Sequence, residues 1–341
     1  MGNKKKSTIK DIANVLGITP SAVSKALNNN PRISEKTKIA VQQVAKNLNY
    51  QPNHLASALR KGKSNLVGVI IPRANSNFFS SVVEKMEEVL NSHGYNVIMT
   101  QSNESYEKEC RNIDALLYTQ VDGVIASMAN ETVELEYYQK IKSKGIPLIL
   151  FDRGENDLEV DYVGIDDYMT SQMVVKHLVE QGCKRIAHIA GFQHSRIYKN
   201  RIRGYKDALV EFDLPISKDL IIESNLGIDD GRRSMKKLLE LPIRPDAIYA
   251  AGDWAALGAL QVLKEVGIKV PEEMALVGFS NEPFTSFVSP PISTINQHNS
   301  EIGRITAETF LDRMENPSKE VTLNKIILEA ELIIRQSSKN K

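Results

Sequence analysis

Polar residues that could act on a partner collect at two kinds of place in this 341-residue chain. Near the N-terminus, Ser21, Ser24, Lys25 and Asn28 share one face of a short segment, about Pro20 to Asn28, whose Val23 and Leu27 turn the other way. Small hydroxyls, an amide and a lysine in that array suit base edges and phosphates in a DNA groove, and the competing reading is a solvated face. Farther on, polar side chains follow the ends of apolar runs: Asn75 to Phe79 after LVGVII, Asp152-Arg153 after PLILFD, Asp253-Trp254 after AIYAAGD and Ser280-Asn281 after ALVGFS. Carboxylates and amides beside the chain's one tryptophan suit a sugar, because they bond hydroxyls while the ring stacks on the C–H face. The competing reading of Trp254 is packing between a helix and a sheet.

Catalytic chemistry finds no comparable assembly. Gly62-Lys63-Ser64 mimics the end of a phosphate-binding loop, but Ser57 stands where the first glycine belongs, and the segment precedes the first strand instead of following it. There is no G-x-G-x-x-G after Leu66–Ile71, no H-E-x-x-H and no G-x-S-x-G. His188 reads as a hydrogen-bonded packing residue within a strand. The pairs Asp166-Asp167 and Asp229-Asp230 read as helix caps or as strand neighbours pointing opposite ways. Cys110 and Cys183 are far apart and outside any C-x-x-C, which disfavours metal or redox chemistry and fits a reducing compartment. No enzyme activity, metal or cofactor is expected.

The elements that must position these residues follow from periodicity. Ile9, Ile12, Ala13 and Leu16 recur at helical spacing up to Gly17, Thr19-Pro20 restarts a second helix, and Ile39, Val41, Val44, Ala45 and Leu48 mark a third behind the cap candidate Ser34. Three short helices with a tight first turn are a helix-turn-helix. From Leu66 the texture becomes alternating strand and helix, about ten strands in two runs, with helices ending at Gly94, Gly145, Gly182 and Gly267. Such alternation implies parallel sheets covered on both faces, and two lobes rather than one wide sheet. A last helix, Ile302 to Met314, and paired strand-like runs near Thr322–Leu328 and Glu331–Ile334 close the chain.

Charge divides the chain at the same place as texture. Residues up to Lys63 carry twelve Lys/Arg against Asp11 and Glu35, a net +10, and the remainder carries −9, which the overall +1 conceals. A basic head on an acidic body is the footprint of a protein that holds a polyanion at one end. The start MGNKKKSTIK lacks a following apolar stretch and no run approaches the ~20 residues of a spanning helix, so a cytoplasmic protein without membrane association is expected.

The stretch T-I-K-D-I-A-x-x-L-G-I-T-P-S-A-V-S-K-A-L-N-N, from Thr8 to Asn29, resembles the head of the lactose-repressor (LacI/GalR) family of bacterial transcription regulators. The likeness continues through Tyr50-Gln51-Pro52-Asn53, Leu55 to Arg60, Asp122-Gly123-Val124-Ile125, Arg201-x-x-Gly204-Tyr205, Gly252-Asp253-x-x-Ala256-x-Gly258 and Val277-Gly278-Phe279. It implies an α/β protein with a three-helix head (1–50), a hinge helix and linker (51–64), and a periplasmic-binding-protein-like body (65–337) of two doubly wound parallel-sheet lobes. The first lobe would hold about 65–166 and 297–325, the second about 167–295 and 326–337. It further implies a homodimer on double-stranded, pseudo-palindromic operator DNA, read by Pro20, Ser21 and Lys25, with Thr19, Ser24 and Asn28 on phosphates and Thr8 also among the DNA-binding residues. The hinge residues Leu55 and Ala56 would accompany Leu59, the minor-groove wedge. A small-molecule effector, a sugar or sugar acid, would lie between the lobes against Phe78, Phe79, Asp152, Arg196, Arg201, Asp253, Trp254, Ser280 and Gln297. Ser280 replaces an aspartate common in sugar-binding members, and with Arg153, Arg196 and Arg201 that makes an acidic or phosphorylated ligand conceivable. A regulator using a phosphoprotein corepressor, and a sugar-binding module without DNA function, are the alternatives.

Overall fold

The computed structural model describes residues 7–50, 63–316 and 323–339; the hinge positions Leu55, Ala56 and Leu59 lie outside these segments. The chain divides between Ser64 and Asn65 into a small head and a large body.

In the head, helix α1 (Ile9–Leu16) begins where the Asp11 carboxylate accepts the Thr8 amide at 2.7 Å and ends at Gly17, whose φ of +64° belongs to the left-handed stop. Helix α2 (Pro20–Leu27) starts with Pro20 in its first turn and the Thr19 hydroxyl accepting the Ala22 amide at 3.1 Å. Helix α3 (Glu35–Asn47) is capped by Ser34. Ile12, Ala13, Val23, Ala26, Val41 and Ala45 form the buried core that clamps the three together. Ile39, expected on the inner face of α3, is instead 64% exposed; Val41 and Ala45, four apart, carry that face.

The body alternates as expected but with twelve described strands. In order they are β1 (Leu66–Ile71), α4 (Asn77–Ser92), β2 (Asn96–Gln101), α5 (Tyr106–Tyr118), β3 (Gly123–Ala126), α6 (Glu136–Ser143), β4 (Leu148–Phe151) and β5 (Asp161–Ile165). Then come α7 (Asp167–Glu180), β6 (Ile186–Ala190), α8 (Arg196–Glu211), β7 (Ile221–Glu223), α9 (Ile228–Leu239), β8 (Ala247–Ala250), α10 (Asp253–Glu265) and β9 (Ala275–Val277). Strand β10 (Thr294–Asn296), helix α11 (Asn299–Glu315), β11 (Lys325–Leu328) and β12 (Glu331–Ile333) complete it. A parallel six-stranded sheet in the order β11-β5-β4-β3-β1-β2 builds the first lobe, and a parallel four-stranded sheet, β7-β6-β8-β9, builds the second. Helix α11 returns to the first lobe and presses on α4 so closely that a Cβ on Gly303 would sit 2.3 Å from the Val82 carbonyl oxygen.

Two expectations change here. The closing runs do not pair with each other: β11 joins β5 in the first lobe, whereas β12 runs antiparallel to β10. The last crossover therefore falls at Glu329-Ala330, after Ile326–Leu328 rather than before them. Ser337 and Ser338, in the polar tail, are fully buried, the Ser337 hydroxyl donating to the Leu276 carbonyl and Ser338 lying 2.8 Å from the His177 ring. No described helix is long and apolar enough to cross a membrane.

Candidate functional site

On the head, α2 presents Pro20, Ser21, Lys25 and Asn28 to solvent, with Ser24 half-buried between them, while Val23 and Ala26 fill the core behind. Lys25 has no ion pair among the described residues, so its charge is free for an anion. Three of the expected contact residues also serve the helices. Thr8 donates to Asp11 at 2.8 Å, Thr19 caps α2, and the Asn28 amide donates to the Ser24 carbonyl oxygen at 2.8 Å. Capping orients these side chains at the helix ends, where backbone amides and short polar groups face outward together.

In the body, a cavity of about 350 Å³ opens between the carboxyl ends of the two sheets. Eight of the nine expected effector residues line it: Phe78, Phe79, Asp152, Arg201, Asp253, Trp254, Ser280 and Gln297. Arg196 does not. It opens α8, and from there its guanidinium leaves the cavity to donate to Asn156 at 2.9 Å and to lie over the Tyr162 ring; Arg201, on the same helix, turns inward. Phe78 and Phe79 meet edge to face at 5.0 Å, and Trp254, 38% exposed, leans on Phe284 at 4.5 Å. The tryptophan thus packs and faces the cavity at once. Ser280 holds φ of +111°, a strained backbone of the kind that gathers at binding sites, fixed by its amide on the Ile295 carbonyl oxygen at 3.1 Å.

Each arginine in this wall is answered by a carboxylate. Arg153 donates to Glu104 at 2.7 Å and reaches the Tyr198 hydroxyl at 3.4 Å across the cleft, and Arg73 approaches the other Glu104 oxygen at 3.2 Å. Burial pushes Glu104 up, but the Arg153 charge and hydrogen bond, with the Asn130 amide and Arg73, bring it below the ordinary carboxylate value. Arg201 donates to Asp167 at 2.8 Å and to the Ala251 carbonyl oxygen at 3.0 Å, stacked on Phe279 at 3.5 Å. Burial pushes Asp167 up to about 6, so the pair is ionised at neutral pH. Asp253 is spent on the protein itself, accepting the Glu282 amide at 2.8 Å and the Thr294 hydroxyl at 2.7 Å, and burial raises it to about 7. Two buried polar atoms of the wall, Asn130 Oδ1 and Arg153 Nε, have no hydrogen-bond partner.

Sequence reasoning missed Glu104, Asn130, Tyr198, Glu282 and Asp167. The one available signal was Asp166-Asp167: Asp166 is the α7 cap, accepting two amides at 3.0 Å, which leaves Asp167 free to turn inward. His188 is the packing residue expected, fully buried, stacked on Tyr249 at 4.3 Å and bonded to its carbonyl oxygen at 2.9 Å. Burial lowers its pKa to about 3. Among the described residues no group of three His, Cys, Asp or Glu could hold a metal ion, and Cys110 and Cys183 are both buried thiols.

Comparison with known proteins finds relatives for both the head and the body. Residues 8–53 match the bacterial regulatory proteins of the lacI family, and residues 175–338 match the periplasmic binding protein-like domain. The HTH-type transcriptional repressor PurR of Glaesserella parasuis is 30% identical over 339 residues, covering 98% of this chain and 99% of that one. A transcriptional regulator CelR–cellobiose complex superposes with a TM-score of 0.74 at 27% identity, over 97% of this chain and all of the other. The Lac repressor dimer bound to operator and the anti-inducer ONPF shares the fold at a TM-score of 0.84 and 23% identity, covering 98% and 99% of the two chains.

Proposed function

This chain belongs to the lacI family and is a DNA-binding transcriptional repressor with an effector-binding, periplasmic-binding-like body; from that premise we propose that its effector is a neutral carbohydrate held between the lobes. The observation that carries the choice is the charge balance of the cleft. Arg73, Arg153 and Arg201 all face carboxylates already, so an acidic ligand would meet no free cation among the described lining residues. That argues against the sugar acid or phosphate that Ser280 and the arginines first suggested. A neutral polyol asks instead for scattered donors, acceptors and a ring face. Asn130 Oδ1 accepts, Arg153 Nε donates, and Trp254, Phe78 and Phe79 supply aromatic surface. The cellobiose bound by the CelR relative is a ligand of this class.

At the other end, Lys25, Ser21 and Pro20 read base edges while Thr8, Thr19, Ser24 and Asn28 position phosphates, in a cytoplasmic homodimer on a two-fold operator. Occupancy of the cleft alters operator affinity by the usual coupling of ~1–3 kcal/mol, roughly 5–150-fold. Trp254, the only tryptophan, is a built-in reporter. Its fluorescence should respond to neutral mono- or disaccharides in a titration panel that also holds uronic acids and sugar phosphates. A response confined to the charged members would overturn the assignment. Footprinting DNA beside the chain's own gene with the responding sugar then gives the operator and the sign of the response.

A further inference from the structure

Helix α4 opens on the cleft without a cap of its own. Its N-cap, Ser76, makes no side-chain bond to the α4 amides, and its first turn has no acidic residue, although sixteen residues of aligned peptide dipoles end there. The missing anion comes from the opposite lobe. Glu282, 4% exposed, accepts the Ser76 hydroxyl at 3.2 Å and the Asn77 amide at 3.2 Å on one oxygen, with the second oxygen 3.4 Å from the same amide. Its own backbone is held from the second lobe: its amide donates to Asp253 at 2.8 Å, its carbonyl oxygen accepts the Thr285 hydroxyl at 2.6 Å, and neighbouring Asn281 receives Arg335 at 2.9 Å.

We propose that Glu282 is a positioning residue: by capping α4 across the cleft it fixes the angle at which the two walls grip an effector. The platform beneath the carboxylate is rigid in the second lobe, and its targets are backbone and cap of the first, so the bond constrains the lobes and not a local loop. Of the other polar contacts across the cleft, Arg153 with Tyr198 and Arg196 with Asn156 join side-chain tips that can swing with the lobes, while two more reach backbone: Glu155 accepts the Arg196 amide at 3.3 Å, and the His194 ring meets the Asn130 carbonyl oxygen. The idea rests on the cleft being the effector site, but it does not depend on which ligand enters.

The test uses the full chain without ligand, so its failure is separate from failure of the carbohydrate assignment. Spin labels at Val133→Cys in the first lobe and Ile243→Cys in the second, both exposed positions, report the interlobe distance, with labelled chains diluted in unlabelled ones; the native cysteines are buried. Glu282→Ala should broaden that distribution and speed amide exchange in the first turn of α4 about tenfold. Ser76→Asp gives α4 its own cap and sets two carboxylates against each other. It should leave α4 protected and still broaden the distance. An unchanged distance in either variant overturns the proposal, because a cap that matters only locally alters exchange without moving the lobes.

Discussion

In the head, every described residue assigned to DNA lies between Thr8 and Asn28, whereas the walls of the cleft are drawn from Arg73 to Gln297. The proposed DNA face is the outer side of one short helix with the caps beside it. The proposed effector site is made of strand ends that only the topology of two sheets brings together. The difference teaches where each function is vulnerable. The head depends on a core of six buried side chains holding one helix at its angle, and the body depends on buried charge pairs between elements distant in sequence.

The largest expected effect strikes the head alone. Val23 is fully buried at the centre of the three helices, so Val23→Asp places an unpaired carboxylate in a core too small to relax around it. DNA binding should be lost altogether while the body keeps its calorimetric transition and its Trp254 response. A variant that lost both would erase the contrast between a local and an assembled site.

Next comes the body. Arg201→Leu strands Asp167 in a buried, formerly paired state, at a cost of about 3–5 kcal/mol to the body's denaturant stability. Adding Asp167→Asn should recover part of the loss. Were the double variant no better than the single, the pair would not be what holds this wall.

The same contrast governs how much could be read from the sequence. The head was legible because its signals are local: Gly17 as a stop, Thr19-Pro20 as a start, Ser34 as a cap and an apolar face every three or four residues. Strand β5 was missed because Asp161–Ile165 is short, begins with a charge and follows an acidic loop, and β10 because three residues between loops have no period to detect. In the cleft, the strand-end rule found Asp152, Asp253 and Ser280. Glu104, Asn130 and Glu282 sit in loops whose only distinction is the lobe they face, and no spacing encodes that. Arg196 and Arg201 occupy one helix, and which of them turns inward was settled by partners, Asn156 and Asp167, that lie 40 and 34 residues away.

A smaller effect is expected at the surface of the head. Lys25→Ala removes a free, exposed cation without touching the core, so the fold should survive. A lysine bonded to guanine is worth ~1–3 kcal/mol, hence a roughly 5–150-fold loss on operator DNA. If the loss were uniform on all sequences and the salt slope fell by about one, Lys25 would be a phosphate contact instead.

The last contrast concerns how the body's stability changes with pH. Burial raises Asp253 to about 7, against about 4 for the unfolded chain. A carboxyl with a raised pKa keeps in the folded state a proton that the unfolded state gives up. Its contribution is therefore whole below about pH 4, shrinks as pH rises, and is gone above about pH 7. Glu109, raised by burial to about 7, and Asp167, at about 6, add slopes of the same sign. Asp253→Asn should remove one proton's share and leave theirs, so urea midpoints of the body between pH 4.5 and 8 should fall less steeply than in the parent chain. The head, whose acids Asp11 and Glu35 are exposed at helix starts, is the internal control: its transition should be unmoved by the substitution. Parallel curves for variant and parent would mean that Asp253 is ionised in the fold, its charge carried by the Glu282 amide and the Thr294 hydroxyl alone.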